Sequence, residues 1–197
     1  PATFTDIKKV NETIHYRFAD GTTAKPDVVK TVTLSRTGSK DAMTGEITWG
    51  AWSTGVFPDV ESPELVGYTA DQTVVAGSPA TNNREVTVTY YKNAPTTVTG
   101  TKKVTETIHY KFADGTKAYP DKTQTVTLIR TGSKDAATGD ITWGIWSTAS
   151  FSAVLSPELA GYTADQTIVA ETLATDDLDI TVTYVKNKEV EANASEQ

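Results

Sequence analysis

The sequence predicts a mainly β protein, α+β at most, built as two tandem copies of one module. Three observations carry that prediction. Apolar and polar residues alternate with a period of two along several segments, the mark of a half-buried strand. Threonine supplies 36 of the 197 residues, and β-branched side chains suit a pleated, half-exposed surface. Finally, the chain repeats itself. His15 returns as His109, Trp49 as Trp143, Trp52 as Trp146, Phe57 as Phe151 and Tyr90 as Tyr184, always 94 positions on. Comparison of Lys9–Asn93 with Lys103–Asn187 needs no gap, and 58 of the 85 positions match. The expected organisation is one module over 1–97, a second over 98–187 and an acidic tail or linker over 188–197.

Each element follows from its residues. Ile14, Tyr16 and Phe18 alternate with Thr13, His15 and Arg17, predicting a strand that stops at the turn Asp20-Gly21, repeated as Asp114-Gly115. Val32 and Leu34 alternate with Thr31, Thr33 and Ser35. Ile47, Trp49 and Ala51 form a third set, so a long hairpin with its loop around Lys40–Gly45 is expected. Val86, Val88 and Tyr90, with Ile180, Val182 and Tyr184, predict a closing strand. The one helical signal is Ser62-Pro63-Glu64-Leu65, with Ser as N-cap and Pro at the first helical position; it predicts a short helical turn in each module.

Composition excludes several functions. There are 18 Lys and Arg against 25 Asp and Glu, a net charge of −7, which argues against a grip on nucleic acid or an anionic membrane. Without cysteine there is no disulfide framework, thiolate metal site or cysteine nucleophile, and two histidines leave little room for imidazole chemistry. No apolar run approaches the ~18–20 residues needed to cross a bilayer, so no membrane insertion is expected. Pro1-Ala2-Thr3-Phe4-Thr5 has no signal-peptide character and no initiator Met, so the chain reads as part of a longer protein. Near-identical copies suggest that each module performs the same task by itself, with avidity gained by repetition.

The segments TETIHYKFADG, QTVTLIRTGSKDAATGDITWGIWS, SPELAGYTADQTIVA and DITVTYVKN, each with its counterpart in the first copy, resemble the mucus-binding (Mub) repeats of lactobacillar cell-surface adhesins, in particular their second module type. The resemblance covers roughly 9–93 and 103–187. It implies elongated β-grasp (ubiquitin-like) modules with long hairpins, in a surface protein exported and fixed to a Gram-positive cell wall. It also implies adhesion to mucin glycoproteins or their glycans, with immunoglobulin as a further partner of some members. It marks no ligand-binding residue.

No enzyme and no cofactor are expected, for no nucleophile–base pair, phosphate-cradling glycine loop or shared carboxylate pair is present. His15 and His109 read as exposed strand histidines. The acidic turns at Asp20-Gly21-Thr22 and Ser39–Glu46 read as metal-free, lacking the clustered carboxylates of a Ca²⁺ loop. Trp49 and Trp52 are three apart, as are Trp143 and Trp146, so on one strand they face opposite sides. Trp49 and Trp143, in phase with Ile47 and Ile141, are assigned to the core. Trp52 and Trp146 are then the candidate ligand-binding residues, as exposed platforms for a sugar ring, or else wedges against the neighbouring segment. The leading expectation is a monomeric rod that binds mucin glycans weakly at each module. Edge-strand pairing with a host protein such as immunoglobulin is the alternative within binding, and a spacer stalk is the alternative outside it.

Overall fold

A computed structural model describes residues 1–190; of the predicted tail 188–197, residues 191–197 lie outside the described residues. The chain divides into two compact units, Pro1–Thr96 with Asp135–Asp140 and Thr97–Lys134 with the residues from Ile141 on, and each is all-β. In the first, β1 (Ala2–Phe18) and β2 (Thr23–Lys40) form an antiparallel hairpin of 17- and 18-residue strands, in one register from Ala2↔Lys40 to Ile14↔Val28 and shifted by irregularities on either side of Tyr16 before Arg17↔Thr23. Gly21 makes the turn with φ of 87°, a left-handed conformation that L side chains resist. Short strands follow: β3 (Ile47–Trp49), β4 (Val56–Phe57), β5 (Val60–Glu61), β6 (Tyr68–Ala70), β7 (Val74–Val75) and β8 (Ser78–Pro79). The closing strand β9 (Arg84–Lys92) lies parallel to β1, giving a mixed sheet in the order β3-β2-β1-β9-β6.

The second unit repeats this. Its strands β10 (Thr96–Phe112), β11 (Lys117–Lys134), β12 (Ile141–Trp143), β15 (Tyr162–Ala164) and β18 (Leu178–Lys186) form the sheet β12-β11-β10-β18-β15. Between them, β13 (Ser150–Phe151) pairs with β17 (Thr172–Leu173), and β14 (Val154–Leu155) with β16 (Ile168–Val169).

The apolar residues are too few for one continuous core, and each module packs two small ones along its hairpin. In the first, Ile14, Tyr16, Val75, Val88 and Tyr90 make one cluster, and Val10, Leu34, Phe57 and Ala80 the other. The strand face that carries Val10, Ile14 and Tyr16 also carries Glu12, which is fully buried, as is its counterpart Glu106.

The expected helical turn at Ser62–Leu65 does not form; there is no helix among the described residues. The polar groups that would start it are engaged elsewhere. Ser62 N donates to Thr73 O at 2.9 Å, Ser62 Oγ donates to Gln72 O at 2.6 Å, and the Tyr90 hydroxyl donates to Pro63 O at 2.5 Å. Ser156 and Tyr184 do the same in the second module. These bonds tie the segment laterally to its neighbours and hold it extended instead of letting it coil into a turn of helix.

Candidate functional site: a two-tryptophan platform in each module

Trp49 ends β3, the short strand whose register on β2 is Gly38↔Trp49. Gly38 is buried, and a Cβ there would lie 2.7 Å from Trp49 Cε3, so the ring lies on bare backbone. The chain then leaves the sheet but still follows β2, with Gly50 N donating to Thr37 O and Ser53 N to Ser35 O. Trp52 therefore stands on an irregular segment and not on the strand that carries Trp49.

This overturns the assignment of Trp49 and Trp143 to the core. Trp49 is only half-buried, and Ile47, with which it is in phase, is 39% exposed. It is Trp52 that packs against the cluster of Val10, Leu34, Phe57 and Ala80, and Trp146 against Val104, Leu128, Phe151 and Ala174. Trp52 and Trp146 are half-buried, each with one side on the core.

Cations from β1 and β2 complete the arrangement. The Arg36 guanidinium lies 4.6 Å from the Trp49 ring centre and 4.5 Å from that of Trp52. Lys8 Nζ lies 4.9 Å from the Trp52 ring. In the second module Arg130 lies 4.3 Å from Trp143 and 4.4 Å from Trp146, with Lys102 Nζ 5.5 Å from Trp146. Such contacts draw the cation to the electron-rich ring face. Sequence reasoning missed Lys8, Arg36, Lys102 and Arg130. The available signal was that Arg36 sits two residues before the glycine opposite Trp49, on the same strand face.

Beside Trp52, and again beside Trp146, is a groove. Lys8, Leu34, Trp52, Ser53, Ala80 and Asn82 help to line the first, of about 410 Å³. Lys102, Leu128, Trp146, Ser147, Ala174 and Asp176, each 94 positions on, line the second, of about 240 Å³. An indole, an apolar floor, hydroxyl groups and a lysine in each groove suit a polar ligand with one apolar face.

The other candidates lie elsewhere. His15 and His109 are half-buried rather than exposed, because each pairs through Nδ1 with a carboxylate on the next strand, Asp27 or Asp121, at 2.8 Å. The Arg17 guanidinium, with His15 beside it, holds Asp27 below the usual carboxylate range. Asp20 Oδ1 accepts from Thr22 Oγ1 at 2.6 Å and Thr22 N at 2.9 Å, and these bonds lower its pKa. Asp41 Oδ1 accepts from Met43 N and Thr44 N at 2.8 Å, with the same effect. Among the described residues no three His, Cys, Asp or Glu side chains gather as metal ligands would.

An all-β module with a long hairpin, a parallel central strand pair and a groove beside one of two neighbouring tryptophans, present twice, defines a tandem β module. The family model for the Muc B2-like domain matches residues 3–94 and again 95–188, and the chain belongs to that family as two tandem domains. The chain is 34% identical to the mucin-binding domain of Spr1345 from Streptococcus pneumoniae, over 47% of this chain and 97% of that one, with a TM-score of 0.44. It is 24% identical to the type 2 repeat of the mucus binding protein MUB from Lactobacillus reuteri, over 90% of this chain and 100% of that one, with a TM-score of 0.48. Mub-RV matches over 91% of this chain and 100% of its own at 21% identity, with a TM-score of 0.57, a likeness of fold. No curated protein matches this chain.

Proposed function

We propose that the chain is a non-enzymatic part of a bacterial surface adhesin, outside the cell and held to a Gram-positive wall, whose modules each bind mucin glycans in the groove beside Trp52 and Trp146. The observation that carries this reading is the duplication of the groove: every lining position named above recurs 94 residues later, indole included. The relatives in whose names mucin or mucus binding appears support it. The sheet order, with a long hairpin beside a parallel closing strand, supports a β-grasp derivation in which short strand pairs stand where the helix would run. Weak contacts at each module gain by avidity what each lacks singly.

The test is binding of the intact chain to purified mucin before and after enzymatic removal of the glycans. A saturable signal that disappears on deglycosylation is expected. Trp52→Leu together with Trp146→Leu should weaken it by about tenfold, the scale of losing a buried aromatic anchor. Leucine keeps an apolar group against the core, so the variant should melt as a folded protein.

One observation favours a second reading. β3 pairs with β2 only at Gly38–Lys40, and although β4 lies near β2, no strand among the described residues pairs with the outer edge of β2 from Thr23 to Leu34. Such an edge accepts a strand from a partner protein, an immunoglobulin domain for example, through main-chain hydrogen bonds. Binding that survives deglycosylation selects this reading. No binding at all, even with the chain clustered on beads, selects a spacer.

A further inference from the structure

The two platforms have the same rings and the same guanidinium but different partners for it. In the first module, Asp6 Oδ2 lies 2.9 Å from both Arg36 Nε and Arg36 Nη2, so a carboxylate neutralises the cation held between the indoles. Position 100, the counterpart of Asp6, is glycine. Among the described residues Arg130 makes no ion pair, and its Nε is buried without a hydrogen-bond partner. A guanidinium stays protonated at any physiological pH, so the charge has no way to be discharged. Buried donors of this kind are rare in native proteins, where a water or an ion commonly partners them. The neighbouring cation does not share this condition, because Lys102 Nζ pairs with Asp176 Oδ1 at 3.3 Å.

We infer that the second module's platform binds a sugar bearing an anionic group, a carboxylate or a sulfate ester, with Arg130 as the residue that takes the charge. The inference rests on the glycan reading above and narrows its ligand class. Asp6 shows the chemistry from within the chain: a carboxylate oxygen fits the Nε–Nη2 edge of an arginine stacked between two indoles. In the second module that carboxylate comes from the ligand. The guanidinium is planar and lies 4.3 and 4.4 Å from two ring centres, so its Nε–Nη2 edge can offer two parallel donors to an oxyanion, a geometry that an ammonium cannot reproduce. The first module's Arg36 is already satisfied and takes no anion. The two copies therefore differ in ligand preference despite their near-identity.

The experiment uses the full chain and three probes, followed by calorimetry and by the indole NH resonances of Trp143 and Trp146: lactose, sialyllactose and lactose carrying a sulfate ester. One anionic-sugar site per chain is expected, at least about tenfold tighter than lactose, the scale of a charge-assisted hydrogen bond. Which anionic probe gains tells carboxylate from sulfate. Arg130→Gln should remove the preference for the anionic probe. Gly100→Asp should remove it too, by supplying the internal carboxylate. A Cβ at Gly100 lies 3.1 Å from the Trp143 ring, which must yield by a few tenths of an ångström, a demand that Arg130→Gln does not make. Asp6→Gly should add a second anionic site. Two equal sites in the unaltered chain, or a preference that survives Arg130→Gln in a folded protein, would overturn the assignment. Mucin stripped only of acidic sugars and sulfate separates this inference from its parent. Undiminished binding there overturns the anionic ligand and leaves the glycan reading standing, whereas no binding to any mucin overturns both.

Discussion

The two modules solve one electrostatic problem in two ways. Each buries a glutamate on the core face of its first strand, Glu12 or Glu106. In the first module Arg84 Nη1 lies 2.9 Å from Glu12 Oε1, and the same nitrogen donates to Ser78 Oγ at 2.6 Å. In the second, position 178 is leucine, and Gln124 takes over, donating through Nε2 to Glu106 Oε2 and to Ser152 O. Position 30, the counterpart of Gln124, is lysine and lies opposite Glu12 in the hairpin register. A cation from the closing strand in one copy and an amide from the hairpin in the other thus serve equivalent carboxylates. The partner residues have changed together while the buried acid has stayed. That pattern teaches that the acid belongs to the module and its partner to the copy.

The comparison can be broken most forcefully at Arg84. Arg84→Leu leaves Glu12 buried without its cation, and should destabilise the first module by about 2 kcal/mol, less than a wholly buried pair because Arg84 is partly exposed. Adding Lys30→Gln rebuilds the arrangement of the second module and should regain more than half of the loss. Chemical denaturation, with each module followed by its own labelled tryptophans, measures both. A smaller loss, about 1–2 kcal/mol, is expected in the second module for Gln124→Ala, which strips Glu106 of its hydrogen-bond donor. The first module's transition should not move.

The smallest effect concerns residues that the copies share. Asp20 and Asp114 each accept two hydrogen bonds from the threonine two positions on, and both are lowered from the ordinary value of 3.8. A carboxyl group whose folded pKa is depressed adds stability above its unfolded pKa and loses it as pH falls through the folded value. Both turns should therefore hold until pH drops below about 3.8 and then weaken together. Carboxyl carbon shifts followed by NMR should give two matching curves, and Thr22→Val should raise the Asp20 midpoint while leaving that of Asp114 in place.

Much of this architecture was legible before any coordinates. The strict alternation at Ile14, Tyr16 and Phe18 placed the first strand, and Asp20-Gly21 its end, because period and turn chemistry are local properties. The same alternation also put Glu12 in phase with Val10 and Ile14, so its burial was written in the pattern, although only contact with Arg84 or Gln124 makes it tolerable. The segment Ser62-Pro63-Glu64-Leu65 misled because helix-start signals are local, whereas Ser62 and Pro63 answer to Gln72, Thr73 and Tyr90 in other segments. Trp52 misled for a related reason. Its face was inferred by counting along a strand that ends at Trp49. Arg36 and Arg130 became readable as site residues only with the pairing of β2 and β3, which sets the glycine opposite Trp49 and the arginine two residues before it.

The parallel pairing of the first and last long strands has a mechanical consequence. In the first module Glu12–Phe18 of β1 runs beside Arg84–Tyr90 of β9, and in the second Glu106–Phe112 runs beside Leu178–Tyr184. The chain enters each module on one of these strands and leaves on the other, pointing the same way. Tension along the polypeptide then drags the two past each other lengthwise, and every bond between them bears load at once. A hairpin pulled at its open end unzips one rung at a time; this pair must shear as a block. Each module is thereby built to resist stretching between its own two ends.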